Sequence, residues 1–159
     1  MGKRNRSIHV AIRILPTLPD KPSQTLVRKA AIVAFESAGV GGPATLSVVI
    51  TDDAQIRVLN RKYRKIDAVT DVLSFGNAAE GFVLPAESDP YFGDVVISLV
   101  RAAEQAAMFG HPVAEELSLL VIHGVLHLLG FDHEQESDKE EMRRLQEAAL
   151  VRLEVYWQP

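Results

Sequence analysis

The segment HGVLHLLGFDH, residues 123–133, contains three of the five histidines in the chain. His123 and His127 are four residues apart, so both imidazoles would lie on one face of a helix and could bind one ion. Gly130 can adopt the left-handed conformation that ends a helix, and His133 follows three residues later. We therefore predict a metal site formed by His123, His127 and His133.

Three histidines without a fourth protein ligand leave one coordination position for water, as in catalytic rather than structural zinc sites. The chain contains no cysteine, which excludes disulfides and thiolate ligands. Zinc is the expected ion because neutral imidazoles suit it, and other divalent transition metals are compatible with the same ligands. Such an ion lowers the pKa of its water to roughly 7 and makes a nucleophile available at neutral pH.

Gly124 stands where zinc peptidases with the H-E-x-x-H pattern carry their catalytic glutamate. Without that base a peptide is a poor substrate. A phosphodiester is a better one, and its hydrolysis needs a cation for the charge that develops during attack. We expect Gly124 to leave room beside the metal. Asp132 is predicted either to orient an imidazole from outside the ligand set or to cap the turn.

The cations best placed for this role lie in residues 56–75, IRVLNRKYRKIDAVTDVLSF. Basic side chains with an aromatic residue among them suit single-stranded RNA, through phosphate contacts and base stacking. An ordinary solvated helix face is the alternative. The net charge is −4, but residues 1–66 carry 12 Lys or Arg and 4 Asp or Glu, whereas residues 67–159 carry 5 and 17. The basic residues of the segment are Arg57, Arg61, Lys62, Arg64 and Lys65, and Tyr63 lies among them.

The elements that must position these residues follow from hydrophobic periodicity and from helix-capping residues. The pattern predicts strands over 8–15, 46–51, 72–75 and 93–98. It predicts helices after the capping residues Ser23, Asp52 or Asp53, and Ser98, then over 113–129, and from Ser137 to about Tyr156. The expected fold is one compact α+β domain over residues 1–159. A small mixed sheet of about four strands packs against about five helices, and a central buried helix carries the histidines.

The longest apolar stretch, residues 117–129, is interrupted by polar residues and is too short to span a bilayer. The basic N-terminus lacks the apolar core of a signal peptide. A soluble, cytoplasmic protein without a membrane partner is therefore expected.

The segment 123–133 resembles the signature H-G-x-L-H-L-x-G-x-D-H of the YbeY family, metal-dependent endoribonucleases of ribosomal RNA maturation. Residues 59–75, LNRKYRKIDAVTDVLSF, resemble the second block of that family, which ends T-D-V-L-S-F. Residues 92–98, FGDVVIS, resemble its third block, G-D-I-x-I-S. One departure is Ala68-Val69, where the family often has a proline before T-D-V. It affects no predicted ligand.

This resemblance implies one zinc ion held by His123, His127 and His133, and an arginine needed for activity that matches Arg64. It further implies action on single-stranded RNA at the ends of small-subunit ribosomal RNA, and a part in ribosome quality control. The implied partners are ribosomal RNA and the small ribosomal subunit. Asp71 and Asp94, which lie in the other two blocks, could shape the site, although a structural role is favoured for both.

Two other functions fit part of the pattern. The spacing H-x-x-x-H-x-x-G-x-x-H is also that of metzincin-like metallopeptidases, although the glutamate base is missing. A zinc-binding ribosome-assembly factor that needs the metal only to fold is the non-enzymatic alternative.

Overall fold

The computed structural model describes residues 7–76, 89–131 and 135–154. Within these ranges it confirms the predicted α+β fold, with a four-stranded mixed sheet and five helices. The helices are α1 (Gln24–Ser37), α2 (Asp53–Arg64), α3 (Leu99–Phe109), α4 (Val113–Leu128) and α5 (Glu136–Glu154). The strands are β1 (Ile8–Ile14), β2 (Ala44–Thr51), β3 (Val72–Gly76) and β4 (Tyr91–Ser98).

The sheet has the strand order β1-β2-β4-β3. Strands β1, β2 and β4 are parallel, whereas β3 runs antiparallel to β4. In β4, Val95, Val96 and Ile97 are all buried, because helices cover both faces of a parallel core. Strand β3 is an edge strand of this sheet, so one of its sides is available to form the wall of a site.

The two faces of the sheet are covered by different helices. Adjacent residues of a strand point to opposite faces. Val95 accordingly belongs to the large core that includes α1, α4 and α5, whereas Val96 packs with Ile56 of α2 in a smaller cluster. Leu73 of β3 joins that smaller cluster. Each residue of β3 therefore faces either α4 or α2.

Helix α4 is the predicted central buried helix. It is apolar around most of its circumference, and residues such as Val121, Ile122 and Val125 have no exposed surface. It ends in a Schellman motif, in which Gly130 donates its N–H to the carbonyl of His127 and Phe131 to that of Leu126, both at 3.0 Å. Gly130 has φ +95°, a conformation that glycine adopts without steric cost.

Side-chain caps set the starts of the other helices nearly as predicted. Ser23, Asp52 and Ser98 accept hydrogen bonds from the backbone N–H three residues on, at 3.2, 2.9 and 3.2 Å. The prediction that Ser137 opens the last helix was wrong by one residue. Helix α5 begins at Glu136, because the Gln135 carbonyl accepts the first helical bond, from the Lys139 N–H at 2.9 Å. Its predicted end near Tyr156 lies outside the described residues.

Gly124 lets α4 approach the sheet closely. A Cβ atom on Gly124 would lie 2.5 Å from Val95 Cγ1 and 3.3 Å from Ser74 Oγ. The Ser74 hydroxyl donates to the Gly124 carbonyl at 2.9 Å, which ties α4 to the edge strand. The expectation that Gly124 leaves room beside a metal is corrected here, since strands β3 and β4 fill the space that its missing side chain leaves.

We expect Gly124→Ala to lower the free energy of unfolding by about 1–3 kcal/mol, because the added methyl group overpacks a buried contact. Urea denaturation followed by circular dichroism measures the change. Gly41→Ala is the matched control, since a Cβ atom there has no neighbour within 4 Å. Equal midpoints for the two variants would show that α4 can move away from the sheet without cost.

A search of the described helices for a membrane span found none that combines sufficient length with sufficient hydropathy.

Candidate active site

Two histidines of α4 meet on the side of the helix that faces neither core. His123 and His127 are partly exposed, and their Nε2 atoms lie 3.1 Å apart. The ring centroids are 4.6 Å apart, and the planes cross at 74°. The one-turn spacing thus places the Nε2 atoms of both rings next to each other, as predicted.

This separation fits two ligands of a single ion. Two nitrogens bound at the usual zinc distance of about 2.0–2.1 Å in a tetrahedral site lie about 3.3 Å from each other. The observed Nε2–Nε2 distance of 3.1 Å is close to that value. The pair therefore fits a zinc ion without any change of backbone.

Gln146 of α5 orients one of the rings. The Nδ1 atom of His123 lies 3.2 Å from Oε1 of Gln146. An amide oxygen only accepts hydrogen bonds, so this contact favours the tautomer in which Nδ1 carries the proton and Nε2 keeps the lone pair that a metal ligand needs. The sequence analysis missed Gln146. Its position on an amphipathic helix was visible, but no local signal connects it to a histidine 23 residues earlier.

The histidines lie on one wall of an open cleft of about 480 Å³. The exposed side of β3, the turn before it and Arg64 at the end of α2 line the same cleft. The cleft thus brings together two of the three predicted metal ligands, His123 and His127, and the predicted catalytic Arg64. The lining residues are Arg64, Thr70, Asp71, Val72, Leu73, Ser74, Gly76, His123, His127 and Leu128.

Arg64 is held in place by the edge strand. It is the last residue of α2, and the left-handed Lys65 that follows ends the helix. Its Nη2 donates to the Ser74 carbonyl at 2.5 Å, and its guanidinium carbon lies 5.3 Å from the centroid of the Phe75 ring. Among the described residues no carboxylate pairs with Arg64, and its contacts with a carbonyl and an aromatic face leave its charge available to an anion in the cleft.

Asp71 lines the cleft, but its hydrogen bonds are structural. One oxygen accepts from the Val72 N–H at 2.8 Å and the other from Nε2 of Gln105 at 3.1 Å. These bonds fix the turn that leads into β3.

Asp94 lies on the other face of the sheet. It follows Gly93 and precedes Val95, whose side chain meets α4, so the Asp94 carboxylate points toward the α2 side. There it accepts a hydrogen bond from the Tyr91 hydroxyl. Burial, followed by this bond, raises the pKa of Tyr91. Asp94 therefore supports the sheet and does not line the cleft.

Another predicted cation, Arg57, is already paired. Its Nε donates to the Asp67 carboxylate at 2.9 Å, and this hydrogen bond holds the pKa of Asp67 below its usual value. The pair joins α2 to the turn that follows it.

In the part of the chain that the structure describes, no group of three or more metal-binding side chains forms. His133 and Asp132 lie outside the described residues. The role of His133 as a third ligand and that of Asp132 beside it stay predictions.

Among solved structures, the chain is similar to the solution structure of TM1509 from Thermotoga maritima. The TM-score is 0.61 at 23% identity, and the match covers 95% of this chain and 91% of that one. At this level of identity the similarity concerns the fold alone.

The sequence comparisons are more specific. The family model for endoribonuclease YbeY matches residues 16–154. The endoribonuclease YbeY of Roseiflexus castenholzii is 43% identical over 145 residues, which cover 90% of this chain and 91% of the relative. That of Pelotomaculum thermopropionicum is 44% identical, with 84% and 88% covered. A matching family model over most of the length and relatives at this identity leave one conclusion: the chain belongs to the endoribonuclease YbeY family.

Proposed function

We propose that this chain is a zinc-dependent, single-strand-specific endoribonuclease that processes small-subunit ribosomal RNA and takes part in ribosome quality control. The observation that carries the proposal is that His123, His127 and Arg64 line one cleft. Family membership supports it, because the relatives are named endoribonucleases. The same membership favours a nuclease over the metallopeptidase alternative.

His123, His127 and His133 are the residues that would hold the zinc ion. Bound there, zinc supplies Lewis-acid polarisation and activates a nucleophile at neutral pH. Gln146 contributes by holding the His123 ring in the tautomer whose Nε2 can bind. The Schellman turn at Gly130 ends α4 three residues before His133 in the sequence.

Arg64 would bind the scissile phosphate and stabilise the charge that accumulates on it during the reaction. Its guanidinium presents several N–H donors in a planar fork that matches phosphate oxygens. The bond to the Ser74 carbonyl uses one nitrogen and fixes the orientation of the group. A donor that is oriented before the reaction stabilises developing charge more effectively than one that must reorganise.

The shape of the cleft favours a single strand. A reacting phosphate must lie in the cleft that the histidines, the edge of β3 and Arg64 line. A flexible single strand can bring a phosphate into this space, whereas a duplex holds its phosphates on a rigid outer surface.

Specificity for ribosomal RNA would come from a partner rather than from bulk charge. The chain has a net charge of −4 and an isoelectric point near 5.7, so non-specific affinity for RNA should be weak and sensitive to salt. The small ribosomal subunit is the partner that would present the RNA end. Such a role places the enzyme in the cytoplasm.

Cleavage of one RNA as a single strand and within a perfect duplex tests the proposal. The purified protein is expected to cleave the single strand at internal positions and the duplex at least tenfold more slowly. Gel analysis of end-labelled RNA separates internal cuts from trimming. Equal cleavage of both forms would show that the protein does not select single strands. A zinc-loaded protein that cuts neither would contradict the nuclease assignment.

A further inference from the structure

An aromatic pair lies beside the cleft. Tyr63 of α2 and Phe75 of β3 have ring centroids 5.2 Å apart, with planes tilted by 58°. Tyr63 is 48% exposed, whereas Ile56, which lies earlier in the same helix, is fully buried. Ile56 and its neighbours thus pack the helix against the sheet, whereas the ring of Tyr63 faces solvent.

Arg64 connects this aromatic pair to the cleft. Its guanidinium lies over the Phe75 ring at 5.3 Å while it lines the cleft that contains the histidines. A phosphate held by Arg64 therefore has an aromatic surface next to it. In a single strand, the base attached to a neighbouring nucleotide can swing out from the backbone and reach such a surface.

The surrounding charge suits an anionic polymer. Lys62 places its ammonium 5.1 Å from the centre of the Tyr63 ring. Arg61, also in the last turn of α2, is exposed. Cations beside an exposed aromatic ring are the combination that binds single strands, since the cations contact phosphates while the ring stacks on a base.

We propose that Tyr63 and Phe75 form a stacking subsite for the nucleobase of a nucleotide that flanks the scissile phosphate. This inference rests on the proposed function and adds a substrate contact to it. Every nucleobase has a flat face, so the subsite would accept any base. It would contribute to RNA affinity and positioning, whereas Arg64 and the histidines act on the phosphate.

The test combines a protein variant with a change in the RNA. Tyr63→Leu keeps an apolar side chain but removes the ring, and Tyr63→Phe keeps the ring. Abasic nucleotides are introduced one at a time around the mapped cleavage site of a short single strand. The dissociation constant is measured by fluorescence anisotropy, together with KM and kcat.

Tyr63→Leu is expected to weaken RNA binding and raise KM roughly 5- to 100-fold with little change in kcat. Tyr63→Phe should resemble the wild type. One abasic position should weaken RNA binding by a similar factor in the wild type. It should have almost no effect on binding by Tyr63→Leu, because that variant already lacks the stacking contact. Phe109→Leu is the control, since Phe109 is an exposed aromatic residue on α3, 66% exposed, outside the cleft lining.

Binding by Tyr63→Leu within twofold of the wild type would overturn the subsite. So would abasic effects of the same size in both proteins. If the wild type binds RNA in a Tyr63-dependent way but does not cut it, the subsite stands and the nuclease assignment fails. Melting temperatures of the variants are recorded alongside, and a fall in affinity counts only for protein that remains folded at the assay temperature.

Discussion

An Arg64→Ala variant is expected to keep its fold and its metal while its kcat for RNA cleavage falls roughly 10²–10³-fold, the usual effect of removing one preorganised donor to developing charge. Arg64 is exposed on the last turn of α2, so its truncation should cost little stability. Its known contacts are the Ser74 carbonyl and the Phe75 ring, and neither of these residues is predicted to bind metal. The loss should therefore appear in kcat, with zinc content unchanged.

Two further variants make this result specific. Arg61→Ala removes the same charge from the same helix, but Arg61 does not line the cleft. Its kcat should stay near the wild-type value. Arg64→Lys keeps the charge without the planar fork and should recover only part of the activity. Single-turnover cleavage of one labelled RNA measures all three, and an Arg64→Ala enzyme that cuts at the wild-type rate would exclude Arg64 from the mechanism.

Removal of the metal is expected to have the largest effect, a loss of cleavage to the background rate. None of the described side chains in the cleft replaces the chemistry that a metal supplies, since Asp71 is engaged with Val72 and Gln105. Dialysis against a chelator should stop cleavage, and added zinc should restore it. The melting temperature should fall on metal removal and recover on reloading, because a ligand that binds only the folded state stabilises it.

Variants of His127 and Gln146, the two side chains that contact His123, serve as controls for metal removal. His127→Ala deletes a predicted ligand, so zinc should not restore its activity at any reasonable concentration. Gln146→Ala keeps all the predicted ligands and loses only the group that orients His123. It should need roughly 10- to 100-fold more zinc for full activity. Equal zinc requirements in Gln146→Ala and the wild type would show that the Gln146 contact does not tune the site.

The features that depend on local spacing could be predicted from the sequence. The positions of His123 and His127 one turn apart, the stop at Gly130 and the caps Ser23 and Ser98 all follow from interactions within a few residues. The apolar pattern of α4 was enough to identify a buried helix, since only a helix covered on most sides can be apolar around its axis. The prediction that Arg64 is needed for activity came from the resemblance to a family and not from periodicity.

The remaining features depend on contacts between distant segments. Gln146 meets His123 only because α5 packs on α4, and Phe75 reaches Arg64 only because β3 is the edge strand beside α2. The sequence places Gly124 next to His123 but does not show that Gly124 faces the sheet, so a role near the metal was predicted for it. The sheet that packs against it explains the glycine instead. Asp94 likewise appeared as a site candidate until the strand alternation placed it on the far side.

The proposed role of the histidine pair of α4 is to hold a catalytic metal ion in the cleft that Arg64 also lines. The most direct test measures the zinc content and the RNA cleavage rate of one protein sample, as purified, after chelation and after titration with zinc. Cleavage is expected to rise in proportion to bound zinc and to saturate at one ion per chain, and His127→Ala is expected to stay inactive throughout. Cleavage that persists at full rate in metal-free protein would contradict it.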